Sequence, residues 1–170
     1  MNNRLLEKVI GAVVFLISTV VFVLTVQPSV SFWDCGEFIA AAYSLQVPHP
    51  PGAPFFLLIG RVFSMIPFVE NIALRINYVS ILSSSFSVLF LYLIINKTIR
   101  NYAKDAETTL SGALTIYISA AIGALSLSFS DTFWFNAVEA EVYAASTFLL
   151  AAVTYLAMRW NERAENPGSE

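Results

Sequence analysis

Four apolar runs, each about as long as a helix that crosses a bilayer, leave this chain few architectures other than a bundle of membrane helices. They occupy residues 9–26, 76–95, 113–129 and 142–158, and a hydrocarbon core of about 30 Å takes roughly twenty helical residues. Lipid offers no partner to backbone N–H and C=O groups, so such segments must close their hydrogen bonds internally as helices. The composition agrees: 57% of residues are apolar and 12% charged, against about 25% charged in ordinary soluble domains. A net charge of -3, with Lys and Arg scattered along the chain, gives no footing for a nucleic-acid partner. Cys35 is the single cysteine, so no intrachain disulfide can form.

A fifth apolar stretch, 53–69, carries Arg61 at its middle and Pro54 and Pro67 near its ends. A charge at the centre of a lipid-exposed helix costs about 2.5–3.5 kcal/mol on insertion scales. Laid along the surface, the stretch leaves four spans and puts Arg4, Lys8, Lys97, Arg100, Lys104, Arg159 and Arg163 on one side. Inserted, it sends Lys97, Arg100 and Lys104 away from Arg4 and Lys8. The cytoplasmic excess of Lys and Arg in membrane proteins selects the first arrangement.

The expected fold is therefore all-α, with four transmembrane spans, the N-terminus inside, and a large first outer loop over 27–75 that contains interfacial helices. An inner loop falls near 96–110 and a short outer loop at 130–141. Asp34, Glu37, Glu70, Asp131, Glu139 and Glu141 then collect on the outer side, with Arg61 and Arg75 as its bases. The first run, about eighteen residues with Thr-Val-Gln-Pro-Ser after it, suits a retained span better than a cleaved signal peptide. The polar stretch 161–170 brings no closing element, so residues 1–170 read as the N-terminal membrane segment of a longer protein. Ser80, Ser83, Ser84, Ser85 and Ser87 supply small residues for close helix packing.

The residues able to carry chemistry fall in two groups. In the first, Ser31 and Asp34 have capping-box spacing, and Asp34 and Glu37 at i and i+3 share one face of the helix they open. These acids either favour the positive end of that helix or form an acid/base or metal site, and the residues alone leave both open. Phe32, Trp33 and Phe38 fit an interfacial anchor beside them. His49, the single histidine, sits in a Pro48-His49-Pro50-Pro51-Gly52 turn whose prolines restrict the backbone and can aim one side chain. The second group is Asp131, Glu139 and Glu141. Glu139 shares a helical face with Tyr143, whereas Glu139 and Glu141, two apart, can face one site only if the backbone there is irregular. Phe133, Trp134 and Phe135 fit an interfacial belt. Arg61 and Arg75 suit either lipid phosphates or a phosphate-bearing substrate.

Trp33-Asp34-Cys35-Gly36-Glu37-Phe38, His49-Pro50-Pro51-Gly52, the Arg75 region and Ala137-Val138-Glu139-Ala140-Glu141-Val142-Tyr143 together resemble a group of polytopic proteins. That group, long regarded as a domain of unknown function, is similar to bacterial protein O-mannosyltransferases and to glycosyltransferases of the GT-C type. The resemblance implies a GT-C-like fold and an enzyme that moves a sugar from a polyprenyl-phosphate donor to an acceptor hydroxyl. It implies a hexose, mannose among the candidates, and protein Ser or Thr as acceptor. A lipid or polysaccharide acceptor, or a non-enzymatic transporter, is the alternative. Asp34 is its first choice of catalytic base and Glu37 the second. His49, Arg61, Arg75, Glu139, Glu141 and Tyr143 fall to substrate binding. No cofactor is certain, the metal site is unknown, and a divalent cation such as Mg2+ or Mn2+ stays open. The expected setting is the inner, cytoplasmic membrane, with the site facing the periplasm or the outside.

Overall fold

The computed structural model describes residues 3–103 and 109–165, and among these it contains seven α-helices and no strand. In chain order they are α1 (Asn3–Thr25), α2 (Cys35–Ser44), α3 (Pro54–Met65), α4 (Ile72–Tyr102), α5 (Leu110–Ser128), α6 (Asp131–Ala137) and α7 (Val142–Glu165). Four of them, α1, α4, α5 and α7, are long and apolar enough to cross a membrane. Each coincides with one of the four apolar runs, but α4, at 31 residues, outruns its run at both ends. Its start is fixed by Asn71, whose side chain accepts from the Ala73 and Leu74 amides as an N-cap, so helix begins before the apolar run does.

The stretch around Arg61 folds as α3, 12 residues long. At 1.5 Å per residue that is about 18 Å, too short to cross a core of about 30 Å. Pro54 starts α3 at a position that lacks an intrahelical donor requirement. The helix packs on α2 and α4, burying Phe56 and Leu57 beside Phe38, Ile39, Ala42 and Ile76. A Cβ added at Gly60 would lie 2.9 Å from the Ala42 Cβ, so α2 and α3 cross as closely as they do because Gly60 has no side chain. Gly60→Val is expected to destabilise the protein by about 1–3 kcal/mol through overpacking, read as a lower thermal midpoint in detergent.

The central helix is α4, which contacts α1, α5 and α7 as well as α3 and α6. Its buried face is unusually polar, with Asn77, Ser80, Ser84, Ser85, Ser87 and Asn96 all inside. Small hydroxyl residues let neighbouring backbones approach, the packing role expected of these serines. The outward faces of the spans carry Leu16, Val20, Ile122, Leu150 and Val153, all exposed and suited to lipid.

The two ends of the bundle differ in charge. At one end Arg4, Lys8, Lys97, Arg100, Arg159 and Arg163 gather around a cavity of about 610 Å³ with Glu7 and Glu162; Lys104 lies outside the described residues. At the other end, the short helices α2, α3 and α6 and the turns between them cap the spans, and Asp34, Glu37, Glu139 and Glu141 lie there.

Candidate functional site

The site is assembled from two segments about a hundred residues apart in sequence. One is the turn before α2 with the Pro-rich turn after it, and the other is the α6–α7 junction. Between them lies a cleft of about 510 Å³ lined by Asp34, His49, Asn136, Glu139, Glu141 and Tyr143, with Trp33, Phe38 and Phe135 supplying its aromatic walls. The α6–α7 junction is pinned by the Gln27 amide donating to the Val138 carbonyl at 2.9 Å. The chain after α1 is in turn held by Asn77 Nδ2, which donates to the Gln27 and Ser29 carbonyls. A polar residue buried in α4 therefore sets where both segments meet.

Ser31 does not cap α2. The N-cap position belongs to Asp34, which makes no side-chain cap bond. The Ser31 hydroxyl donates instead to Glu139 Oε2 at 2.5 Å, a charge-assisted bond to a buried carboxylate. The Asp34 carboxylate is exposed in the cleft, with His49 Nε2 3.9 Å away. Trp33, just before it, has φ of 64°. That left-handed conformation is uncommon for a bulky residue and turns the chain sharply into α2.

Glu37 and His49 are committed to one another. The His49 amide donates to Glu37 Oε1 at 2.7 Å, and His49 Nδ1 lies 2.7 Å from Glu37 Oε2. The bond to His49 holds the Glu37 carboxyl below its ordinary 4.5, and the same bond raises the His49 imidazole above its ordinary 6.5. Glu37 contributes above pH 4.5 and is lost as pH falls through its lowered value. His49 contributes below pH 6.5 and is lost as pH rises through its raised value. The pair's stabilising contribution is therefore full between about 4.5 and 6.5 and declines on either side. Hydrogen exchange of the His49 amide, corrected for its intrinsic pH dependence, is expected to be slowest in that window. A flat corrected rate through neutral and alkaline pH would show that the side-chain pair does not hold the turn.

Deeper in, Glu139 and Glu141 are 1% and 8% exposed. The backbone between α6 and α7 is irregular, with the Glu141 amide donating to the Glu139 carbonyl at 2.9 Å, and this lets both glutamates line the same cleft although they are two apart. Ser80 holds the turn from α4, accepting from the Glu141 amide at 3.3 Å. Cys35 donates its thiol to Glu141 Oε1 at 3.3 Å. Burial pushes the Glu141 carboxyl up and the Cys35 thiol up to about 12.

Of the residues expected from sequence, Asp34, His49, Glu139, Glu141 and Tyr143 line the cleft, and Glu37 reaches it through His49. Arg61 and Arg75 do not line it. Arg61 donates to the Tyr43 carbonyl and lies over the Tyr43 ring, and Arg75 donates to the Val69, Ser64 and Glu70 carbonyls. Ser31, Cys35, Ser80 and Asn136 were not singled out for the site by sequence reasoning. A serine or cysteine reveals such a role only when the fold brings a carboxylate to it.

A helical bundle with four helices long and apolar enough to span a bilayer defines an integral membrane protein, and one end of that bundle carries the acidic, aromatic-walled cleft. Residues 34–170 match the family described as the Protein O-mannosyl-transferase TMEM260 N-terminal domain, and the chain belongs to that family. It is 29% identical over 151 residues to the Protein O-mannosyl-transferase tmem260 of Dictyostelium discoideum, covering 88% of this chain and 16% of that protein. It is also 29% identical over 150 residues to the Protein O-mannosyl-transferase TMEM260 of Mus musculus, covering 88% of this chain and 19% of that one. The chain thus spans less than a fifth of the length of these relatives. No solved structure matches it.

Proposed function

We propose that the cleft is part of the active site of a membrane glycosyltransferase that moves a hexose from a polyprenyl-phosphate carrier to a Ser or Thr hydroxyl of a protein. The family and the names of its relatives support the sugar and the protein acceptor. The observation that carries the reading is the exposed Asp34 carboxylate, free of hydrogen bonds to its own helix, beside an imidazole that Glu37 keeps oriented.

In this reading Asp34 accepts the proton of the acceptor hydroxyl as its oxygen bonds to the anomeric carbon. The bond from that carbon to the carrier phosphate breaks, and its electron pair leaves with the phosphate. A phosphate is a weak base, so the departing group needs charge compensation more than a proton. His49, whose cationic form Glu37 favours, supplies it from the cleft, and Arg61 and Arg75 serve the scaffold. Glu37 is a positioning residue acting through His49. Asn136 and Tyr143 offer hydrogen bonds to sugar hydroxyls.

The experiment is mass spectrometry of secreted and membrane proteins from cells with and without the full-length gene. Loss of a hexose from Ser or Thr on specific proteins is expected, and an unchanged glycoproteome would overturn the reading. By the positive-inside rule the basic end of the bundle faces the cytoplasm and the cleft faces the opposite side. Reporters fused after Asn71 and after Tyr102, at the two ends of α4, are expected on opposite sides of the membrane, with Tyr102 cytoplasmic. Both on one side would contradict the four-span topology.

A further inference from the structure

We propose that Cys35, Glu139 and Glu141 form a binding site for one thiophilic divalent cation of the zinc class at the floor of the cleft. Each of the three offers a ligand atom, all three residues are buried, and those atoms lie within 4.8 Å of one another. They come from α2 and from the α6–α7 junction, so a cation there would tie together the two segments that build the cleft. The Cys35 Sγ and Glu141 Oε1 are 3.3 Å apart. In a tetrahedral zinc site, with Zn–S near 2.3 Å and Zn–O near 2.0 Å, the sulfur-to-oxygen edge is about 3.5 Å, so this pair already has the required spacing.

A second observation points the same way. Glu139 is 1% exposed, and while its Oε2 accepts from Ser31, its Oε1 has no hydrogen-bond partner. Buried polar atoms are nearly always satisfied, so this carboxylate oxygen calls for a partner, a water or an ion, and unlike the other unpaired buried atoms it lies in a group with metal-ligand spacing. Charge leads to the same place. Two glutamates are buried side by side, yet among the described residues no Lys or Arg lines the cleft. The charged groups facing them are Asp34, which adds negative charge, and His49, which is exposed and held by Glu37. Buried charges are stable when paired or coordinated to metal. The thiol decides the class of ion, because thiolate selects zinc-like metals, whereas a carboxylate set alone suits Mg2+ or Ca2+. Binding releases the Cys35 proton to solvent. The Asp34, Glu37 and His49 group at the mouth also has ligand spacing, but it is exposed and Glu37 and His49 already satisfy one another. The buried site does not depend on the glycosyltransferase reading.

The test uses the purified full-length protein, stripped with a chelator and titrated with Cd2+ or Zn2+. A single equivalent of Cd2+ is expected to produce the ultraviolet thiolate-to-cadmium charge-transfer band, which Cys35→Ser removes. Glu139→Gln is expected to weaken binding at least tenfold, a loss that changes around a metal site commonly produce. Peptide mapping of Cys35 alkylation in the wild-type protein needs no variant to fold, and Zn2+ is expected to protect the thiol. No charge-transfer band attributable to Cys35 together with an alkylation rate indifferent to Zn2+ would overturn the proposal. Binding of Mg2+ alone, with the thiol still reactive, would do the same.

Discussion

Asp34→Asn is expected to lower transfer by the full-length protein by about 10²–10⁴-fold, the usual contribution of a positioned general base, while leaving the thermal midpoint unchanged. The expectation rests on two structural facts. The Asp34 side chain makes no cap bond to α2, and it is exposed, with His49 Nε2 at 3.9 Å, beyond hydrogen-bond reach, so the fold asks little of it. Asparagine keeps the shape and removes the ability to take a proton. Glu37→Gln is the informative control. It weakens the hold on His49 and so moves the pH dependence of turnover while retaining more activity than Asp34→Asn. Turnover by the Asn variant within a few-fold of wild type would transfer the base role to another acid of the cleft.

Arg75→Ala is the second large effect, and it is one on stability. The guanidinium donates to Val69 O at 2.6 Å through Nε, to Ser64 O at 2.9 Å and to Glu70 O at 3.3 Å. Those carbonyls belong to the end of α3 and the turn into α4, so one side chain fixes the angle between the short helix and the central span. Charge-assisted hydrogen bonds contribute about 1.5–3 kcal/mol each, and with partial exposure the set is worth about 2–4 kcal/mol. The variant is expected to melt several degrees lower, and the protein that stays folded is expected to keep the wild-type KM for the lipid donor. Lysine should rescue little, since its ammonium cannot span three carbonyls as the planar guanidinium does. An unchanged midpoint with a raised donor KM would return Arg75 to the phosphate.

The four spans were legible in the sequence because lipid imposes a length and a polarity that no other context demands. That α3 is a short helix and not a fifth span was legible for the same reason, since Arg61 and two prolines are incompatible with a lipid-facing span. The site was legible only in part. Asp34, Glu37 and His49 are close in sequence, and the acid at 34 and the proline turn announce themselves. That Glu139 and Glu141 both face the cleft was not, because helical periodicity places residues two apart on different sides, and only the irregular junction at 138–141 turns both inward. Ser31 was read as a cap by its spacing, yet tertiary structure brought it a carboxylate. A cation beside a membrane suggests phosphate, but backbone carbonyls at helix ends are equally good acceptors, and the fold brings such carbonyls within reach of Arg61 and Arg75. Cys35 gave no signal until Glu141 stood beside it.

The most direct measurement is transfer by purified full-length protein supplied with a labelled polyprenyl-phosphate hexose and an acceptor polypeptide. Label is expected on Ser or Thr with the wild-type protein, none above background with Asp34→Asn, and none when a nucleotide sugar replaces the lipid donor. Label arriving from the nucleotide sugar and not from the lipid, or equally fast in the Asn variant, would contradict that expectation.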